Sequence, residues 1–194
     1  MSAEPLTPAP GDALIVVDVQ NDFLPHGALA VAHGDEVVAP LNRYLEAFAR
    51  AGLPIFATRD WHPPNHCSFK AYGGPWPPHC IAGTPGAAFA SNLQLPPQAQ
   101  VLSKATTQEK DAYSGFGGTE LRERLAAAGV RRVFVGGLAT DVCVLNTVLD
   151  ARKYGFEVVL IEDAVRAVEA KPGDGARALE QMKQAGARLQ PAGA

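Results

Sequence analysis

The chain has 194 residues, of which 47% are hydrophobic and 19% are charged, and its formal net charge is −3. This length suits one domain that is stable without disulfide bonds, and the slight negative charge argues against nucleic acid or an anionic membrane as a partner. No apolar run reaches the ~18 residues of a membrane span, and three cysteines without a C-x-x-C pair argue against a disulfide framework or a structural zinc knuckle.

The N-terminal half predicts two strands and a helix, followed by a long irregular segment. Residues 1–11 carry no basic or apolar leader, so we expect a flexible tail on a cytoplasmic protein. The β-branched run 13–17 predicts a strand covered on both faces, helical spacing over 37–48 predicts a helix, and 53–58 form a second strand. Residues 59–100 are rich in Pro, Gly and His without periodicity, which indicates a loop insertion that builds a site.

The C-terminal half alternates between strands and helices. The predicted elements are strands at 100–103, 131–136, 157–161 and 187–190, and helices at 118–128, 141–154 and 173–186. This alternation predicts a doubly wound α/β fold, in which a mainly parallel sheet of about six strands has helices on both faces. We interpret 12–194 as a single domain.

Three polar residues follow strands of this predicted sheet. Asp18 ends the first strand, Lys104 ends the third, and Cys143 lies beyond the fourth. Ligands of such sheets bind at the carboxyl ends of the strands, so we expect the three side chains to share one crevice. Asp18 would exchange a proton with the thiol and the leaving amine, while Lys104 would hold Asp18 ionised or orient an amide. Each has a structural alternative: a capping carboxylate, a solvated amine and a small core thiol.

Cys143 is the candidate nucleophile of this group, because a thiolate attacks carbonyl carbon well. If Thr140 or Asp141 caps the next helix, Cys143 lies in the first turn, where we expect the helix N-terminus to lower the thiol pKa. Backbone N–H groups from Ala139 to Cys143 would then form an oxyanion hole. No histidine occupies a comparable position at the end of a strand, which disfavours a Cys–His pair.

The irregular segment contains a candidate metal site. Asp60 and His62 are two residues apart, so in extended chain they face the same side, and His66 and His79 are further candidates. A carboxylate with imidazoles suits one divalent ion, for which we favour zinc, with iron and manganese as alternatives. The competing interpretation is that these histidines only satisfy turns of a polar loop.

Five segments of the chain resemble the nicotinamidase/pyrazinamidase group of the isochorismatase-like hydrolase family. They are ALIVVDVQNDF, TRDWHPPNHCSF, WPPHCIAGTPGA, LSKATTQEKDAYSGF and GGLATDVCV, and the resemblance extends from residue 13 to about 163. The resemblance implies a catalytic triad of Asp18, Lys104 and Cys143. It also implies the metal ligands Asp60, His62 and His79, with His66 as a fourth at a position where members of the group differ.

The same resemblance implies a substrate pocket and a reaction. Phe23, Trp76, Tyr113 and Ala139 would contact the ring of the substrate, and the Leu138–Ala139 peptide bond would be cis and aim the oxyanion N–H groups. The implied reaction is hydrolysis of nicotinamide to nicotinate and ammonia through a thioester on Cys143, as a step of NAD salvage. Pyrazinamide would be hydrolysed to pyrazinoate in the same way, and the metal would bind the pyridine nitrogen.

Three other interpretations stay open at this point. One is an amidase of the same family that acts on a ureido or carbamoyl compound, although such relatives look different in the D-W-H and W-P-P-H segments. A second is a non-catalytic nucleotide- or flavin-binding module. The lack of G-x-G-x-x-G and Walker-A loops in the sequence argues against it. A third is a metal-binding interaction protein with a structural Cys143. The expected partner is a small amide, and a homo-oligomer is left open.

Overall fold

A computed structural model of the chain describes residues 7–191, and in this range six strands form one sheet. The strands are β1 (Asp12–Val17), β2 (Ile55–Asp60), β3 (Gln100–Lys104), β4 (Arg132–Leu138), β5 (Glu157–Arg166) and β6 (Arg188–Gln190). Their order across the sheet is β3-β2-β1-β4-β5-β6, and every neighbouring pair is parallel. The predicted parallel sheet is therefore confirmed. Residues 1–6 of the predicted tail and 192–194 of the predicted domain lie outside the described residues.

Among the described residues, four α-helices cover the two faces of this sheet. They are α1 (Val38–Arg50), α2 (Leu121–Ala127), α3 (Leu145–Lys153) and α4 (Asp174–Gln184). The apolar side chains of α1 belong to one buried cluster, and those of α2, α3 and α4 belong to a second cluster on the opposite face. This is the doubly wound arrangement expected from the alternation of strands and helices.

The central strand β1 shows why the sequence folds in this way. Leu14 and Val16 face the cluster of α1, whereas Ala13 and Ile15 face the cluster of the other three helices, and all four are fully buried. Each large aliphatic side chain stabilises the fold by about 1.5–3 kcal/mol through burial. A strand that is covered on both faces is not expected to alternate between polar and apolar residues, and β1 shows no such alternation.

The start of α2 differs from the sequence prediction, which began that helix at residue 118. Gly118 has a positive φ of 68°, and the helix begins only at Leu121. The backbone N–H of Leu121 donates to Oγ1 of Thr119 at 3.2 Å, while the Thr119 hydroxyl donates to the carbonyl of Gly115 at 2.6 Å. Thr119 thus competes with the helical backbone for its hydrogen bonds, which delays the helix by three residues.

The long segment between β2 and β3 contains no α-helix and no strand of the sheet. The segment contains short 3₁₀ helices at Lys70–Tyr72 and Pro85–Ala87. Backbone hydrogen bonds connect it to the neighbouring loops. It returns to the carboxyl end of β1, where the N–H of Ala90 donates to the carbonyl of Val19 at 2.9 Å.

None of the helices within residues 7–191 is both long and apolar enough to cross a membrane.

The carboxyl ends of β1 and β4 approach each other unusually closely. Gly137 has a φ of 129°, and a Cβ there would lie 2.0 Å from the carbonyl oxygen of Val17. Only glycine permits that approach. Directly after Val17, Asp18 adopts a left-handed φ of 49°, so β1 ends abruptly and the Asp18 side chain is placed at the edge of the sheet.

Candidate active site

Asp18, Lys104 and Cys143 meet at the carboxyl edge of the sheet, as their positions after strands predicted. The Lys104 ammonium nitrogen lies 2.9 Å from Oδ2 of Asp18 and 3.4 Å from Sγ of Cys143. All three residues are buried, with Asp18 and Lys104 at 0% and 1% exposure. A carboxylate, an ammonium and a thiol therefore form one contact network beneath the surface.

The two oxygens of Asp18 have different partners. Oδ1 accepts a hydrogen bond from the Thr58 hydroxyl at 2.7 Å. Oδ2 is the ion-pair partner of Lys104, but among residues 7–191 no donor reaches it with good hydrogen-bond geometry. A lone pair of Oδ2 is thus available to take a proton from a neighbouring group.

Burial and charge together set the protonation of the acid and the amine. Burial raises the pKa of Asp18, and Asp60 raises it further, against the opposing effect of Lys104. Burial alone would lower the pKa of Lys104, but Asp18 and Asp60 raise it well above its usual value. Lys104 is consequently an ammonium ion, and Asp18 is a stronger base than an exposed aspartate when it is ionised.

The pKa of Cys143 is raised well above that of an ordinary thiol, which is opposite to the expected effect of a helix N-terminus. Burial is the largest cause, and the carboxylates of Asp18 and Asp60 add to it, while Lys104 acts in the other direction. The predicted lowering of this pKa was therefore wrong. The side chain is therefore a thiol, and carboxylate oxygens of both Asp18 and Asp60 lie within 4.8 Å of its sulfur.

The backbone around Cys143 also differs from the predicted helix start. The Leu138–Ala139 peptide bond is cis, as the resemblance implied. It leads into one π-helical turn at Thr140–Val144, in which the N–H of Val144 donates to the carbonyl of Ala139 at 3.1 Å, and α3 starts only afterwards. Cys143 lies in this wider turn.

Neither predicted cap of that helix acts as one. The residue before the turn is Ala139, and no side chain caps the turn by a hydrogen bond. The Asp141 carboxylate instead accepts the backbone N–H groups of Val168 and Glu169 at 2.8 and 2.9 Å. Asp141 thereby ties the turn to the segment that follows β5.

Asp60, His62 and His79 form a group whose ligand atoms all lie within 4.8 Å of one another. Nδ1 of His62 bonds the carbonyl of His79 at 2.9 Å, and Nδ1 of His79 bonds the carbonyl of Pro77 at 2.8 Å. A carbonyl only accepts, so Nδ1 carries the proton in both rings and Nε2 keeps its lone pair. Backbone carbonyls hold metal-binding histidines in this way. Burial also lowers the pKa of His62, which favours the neutral imidazole.

His66 is buried beside this group, but both of its ring nitrogens already have partners. Nδ1 lies 2.7 Å from Oγ of Ser68, and Nε2 lies 3.0 Å from the carbonyl of Lys110. Its ligand atoms group with His62 and Asp111 rather than with Asp60 and His79. The observed geometry favours three ligands over four.

A pocket opens over the Cys143 thiol and the group of Asp60, His62 and His79. Its lining includes the four predicted substrate contacts, which are Phe23, Trp76, Tyr113 and Ala139. Nε1 of Trp76 donates to the Tyr113 hydroxyl at 3.2 Å, so the loop between β2 and β3 meets the segment after β3 across the pocket. Asp18 and Lys104 lie below the lining, so a bound ligand would meet the sulfur first.

Several residues of the site carry no sequence signal that would assign them to it. The Ala112 carbonyl accepts from Lys104 at 3.1 Å, and Asp111 joins the pocket lining from the same segment. Gln20 bonds both backbone groups of Asp60. Gln20 lies three positions beyond the end of β1, and its polar side chain alone does not assign it to the site, while a carbonyl contact such as that of Ala112 depends on loop conformation alone.

The chain is similar in sequence and fold to several known proteins. A family model described as the isochorismatase domain matches residues 12–192. The chain is 37% identical to a nicotinamidase of Escherichia coli, over 93% of this chain and 94% of that protein. The pyrazinamidase of Pyrococcus horikoshii in complex with zinc is 52% identical, with a TM-score of 0.89 over 93% and 98% of the two chains. PnC1 from L. infantum in complex with nicotinate is 41% identical, with a TM-score of 0.86 and 95% coverage of each chain.

Proposed function

The chain belongs to the isochorismatase family, and on this basis we propose that it is a nicotinamidase, which hydrolyses nicotinamide to nicotinate and ammonia. The observation that carries the proposal is one pocket lined by both the Cys143 thiol and the group of Asp60, His62 and His79. A thiol suits attack on a carboxamide, and a metal held by imidazoles suits a pyridine nitrogen. Nicotinamide carries both groups on one small ring.

The side chains of Asp60, His62 and His79 fit a divalent ion. Both histidines have Nδ1 bound to a carbonyl, which leaves Nε2 as the ligand atom, and the carboxylate lies next to them. Such an ion would bind the pyridine nitrogen and orient the ring. We favour zinc, since three N and O ligands with an open position suit it and the P. horikoshii pyrazinamidase is described in complex with zinc. His66 as a fourth ligand stays a prediction, which requires its ring to leave the Lys110 carbonyl.

The first half of the reaction forms a thioester. The Cys143 thiol gives its proton to Asp18, and sulfur attacks the carboxamide carbon. The N–H groups of Ala139 and Cys143 stabilise the negative charge that develops on the carbonyl oxygen. The C–N bond then breaks, and ammonia leaves with the proton from Asp18.

The second half releases the acid. Water attacks the thioester carbon and gives a proton to Asp18, and the C–S bond breaks. The proton returns from Asp18 to the sulfur, so the thiol is restored and nicotinic acid leaves, which loses its own proton to the solvent to become nicotinate. Asp18 therefore acts as base and acid in turn, which fits its contact distance from Lys104 and its partly unpartnered Oδ2.

Lys104 makes this proton exchange possible by holding the carboxylates in place. Its ammonium contacts Asp18, Asp60 and the carbonyl of Ala112, so two buried negative charges share one positive charge. Burial by itself raises the pKa of both carboxylates, and Lys104 opposes it; at Asp60 the opposing charges win and the pKa is lowered overall. Without the ammonium both carboxylates would shift toward the protonated form.

The substrate ring would lie between Phe23, Trp76 and Tyr113, above the backbone of Ala139. The same contacts suit pyrazinamide, which replaces one ring carbon by nitrogen. We place the reaction in NAD salvage in the cytoplasm.

The competing function is hydrolysis of another small amide, such as a ureido or carbamoyl compound. This reaction would use the same triad. Its substrate, however, has no ring nitrogen that a metal held by Asp60, His62 and His79 could bind, so the geometry of that group would serve no purpose in substrate binding. The nicotinamidases among the relatives also favour the pyridine substrate.

An ammonia-release assay over a panel of amides tests the proposal. The panel contains nicotinamide, pyrazinamide, a linear aliphatic amide and a ureido acid, each with the zinc-loaded protein. We expect turnover of the two ring amides and little of the others. Turnover confined to the linear amides would replace the proposed function by the competing one.

A further inference from the structure

Where β1 ends, the buried side-chain amide of Gln20 makes the hydrogen bonds to β2 that the backbone of a longer β1 would make. Val17 is the last residue of β1 in register with β2, opposite Thr58, and the N–H of Asp18 then donates to the Thr58 carbonyl at 3.1 Å. A regular parallel ladder would next supply a carbonyl and an N–H to Asp60. The chain turns at Asp18 instead, where the N–H of Gln20 donates back to the Asp18 carbonyl at 2.8 Å.

The side chain of Gln20 supplies both of the missing partners. Its Oε1 accepts from the N–H of Asp60 at 2.8 Å, and its Nε2 donates to the carbonyl of Asp60 at 2.8 Å. Nε2 also donates to the carbonyl of Ala87 at 2.9 Å, in the returning part of the loop. With an exposure of 0%, the amide has no competing water, so its orientation is fixed by these three bonds.

Asp60 is therefore held on both edges of β2. On one edge it bonds the Gln20 amide, and on the other it is in register with Lys104 of β3. Its carboxylate contacts the Lys104 ammonium at 2.5 Å and belongs to the group with His62 and His79. Any rotation of the Asp60 peptide would move a metal ligand and the partner of a catalytic ammonium together.

We propose that Gln20 is a positioning residue, which sets the Asp60 carboxylate for metal binding and for its contact with Lys104. The inference rests on the proposed function only for its catalytic consequence. A change in metal affinity follows from the geometry alone. Loss of partners that orient a metal ligand typically lowers metal affinity or activity about 10–100-fold.

Two variants of Gln20 separate positioning from simple packing. Gln20→Glu keeps the size and the acceptor for the Asp60 N–H, but as a neutral acid it can donate to only one of the carbonyls of Asp60 and Ala87, and as an anion to neither. Gln20→Met keeps the length and removes all three bonds. The matched control is Asn21→Ala, which removes a side-chain bond to the carbonyl of Pro85 at the same junction without touching Asp60.

The readouts are the zinc affinity of the metal-stripped protein, by competition with a chelator, and kcat and KM for nicotinamide. We expect both Gln20 variants to bind zinc at least about tenfold more weakly, and kcat to fall, while Asn21→Ala resembles the parent in both. Gln20→Glu is the informative variant if Gln20→Met does not fold.

Two outcomes would overturn the role of Gln20. One is a zinc affinity within twofold of the parent in the folded Gln20 variants, and the other is an equal loss in Asn21→Ala. A parent protein that releases no ammonia from nicotinamide would instead contradict the proposed function, and the comparison of zinc affinities would still decide the role of Gln20.

Discussion

Lys104 and Asp60 are the last pair in register between β3 and β2, and Nζ of Lys104 lies 2.5 Å from Oδ1 of Asp60. The same ammonium lies 2.9 Å from Asp18 and 3.4 Å from the sulfur of Cys143. One buried cation therefore joins the carboxylate of Asp18, near the Cys143 thiol, to the carboxylate that groups with His62 and His79. We infer that loss of this cation impairs the chemistry and the metal site at once.

Replacement of Lys104 by methionine tests this double role. Two buried carboxylates would lose their shared positive charge, and we expect the free energy of unfolding to fall by about 3–5 kcal/mol, as for other broken buried ion pairs. We also expect ammonia release to fall at least about 100-fold. The measurements are urea unfolding and the nicotinamide assay, and the zinc affinity of the folded variant is measured beside them.

The control for that variant is Lys153→Met, which removes an exposed ammonium from the last turn of α3. It should leave both quantities close to those of the parent. Unchanged zinc binding in folded Lys104→Met would argue that the lysine serves the nucleophile alone.

Asp18→Asn tests the proton exchange with little change in shape. The asparagine side chain keeps an oxygen for the Thr58 hydroxyl but cannot take a proton from Cys143. We expect kcat to fall about 10²–10⁴-fold, the usual contribution of general acid–base catalysis, with a smaller change in KM.

Asp12→Asn is the matched control, because Asp12 is a buried carboxylate on the same strand that pairs with Arg132 at the opposite end of the sheet. That variant should lower stability and leave kcat nearly unchanged. An Asp18→Asn protein that keeps a tenth or more of the parent kcat would mean that another group takes the thiol proton.

His62→Ala and His66→Ala distinguish three metal ligands from four. The Nε2 atom of His62 lies 3.9 Å from Oδ1 of Asp60, another proposed ligand, whereas both ring nitrogens of His66 are bonded to Ser68 and to the Lys110 carbonyl. We therefore expect His62→Ala to lose zinc and His66→Ala to retain it. Metal content after gel filtration is the measurement, and equal loss in the two variants would make His66 a ligand.

Much of the fold could be predicted from the sequence because its signals are local. The run at β1 is apolar and β-branched on both faces, which predicts a covered parallel strand, and the structure confirms it. The start of α3 could not be predicted, because the π turn before it depends on where β4 and β5 place the chain rather than on a capping residue.

Some features of the site could also be predicted from the sequence, and others could not. Asp18 and Lys104 end strands, so the rule for parallel sheets is enough to predict that they lie together with Cys143. The raised pKa of Cys143 could not be predicted, because it depends on the depth of burial and on two carboxylates from distant parts of the chain. The role of Gln20 likewise depends on the turn at Asp18, which no sequence pattern indicates.

The most direct test is ammonia release from nicotinamide by zinc-loaded Cys143→Ala, measured beside the parent and beside Cys67→Ala, which changes a free, half-buried cysteine outside the triad. We expect the parent and Cys67→Ala to release ammonia, and Cys143→Ala to release none above background while it keeps its fold and its zinc. Substantial turnover by Cys143→Ala, or no turnover by the parent, would contradict the proposal that this chain hydrolyses nicotinamide through Cys143.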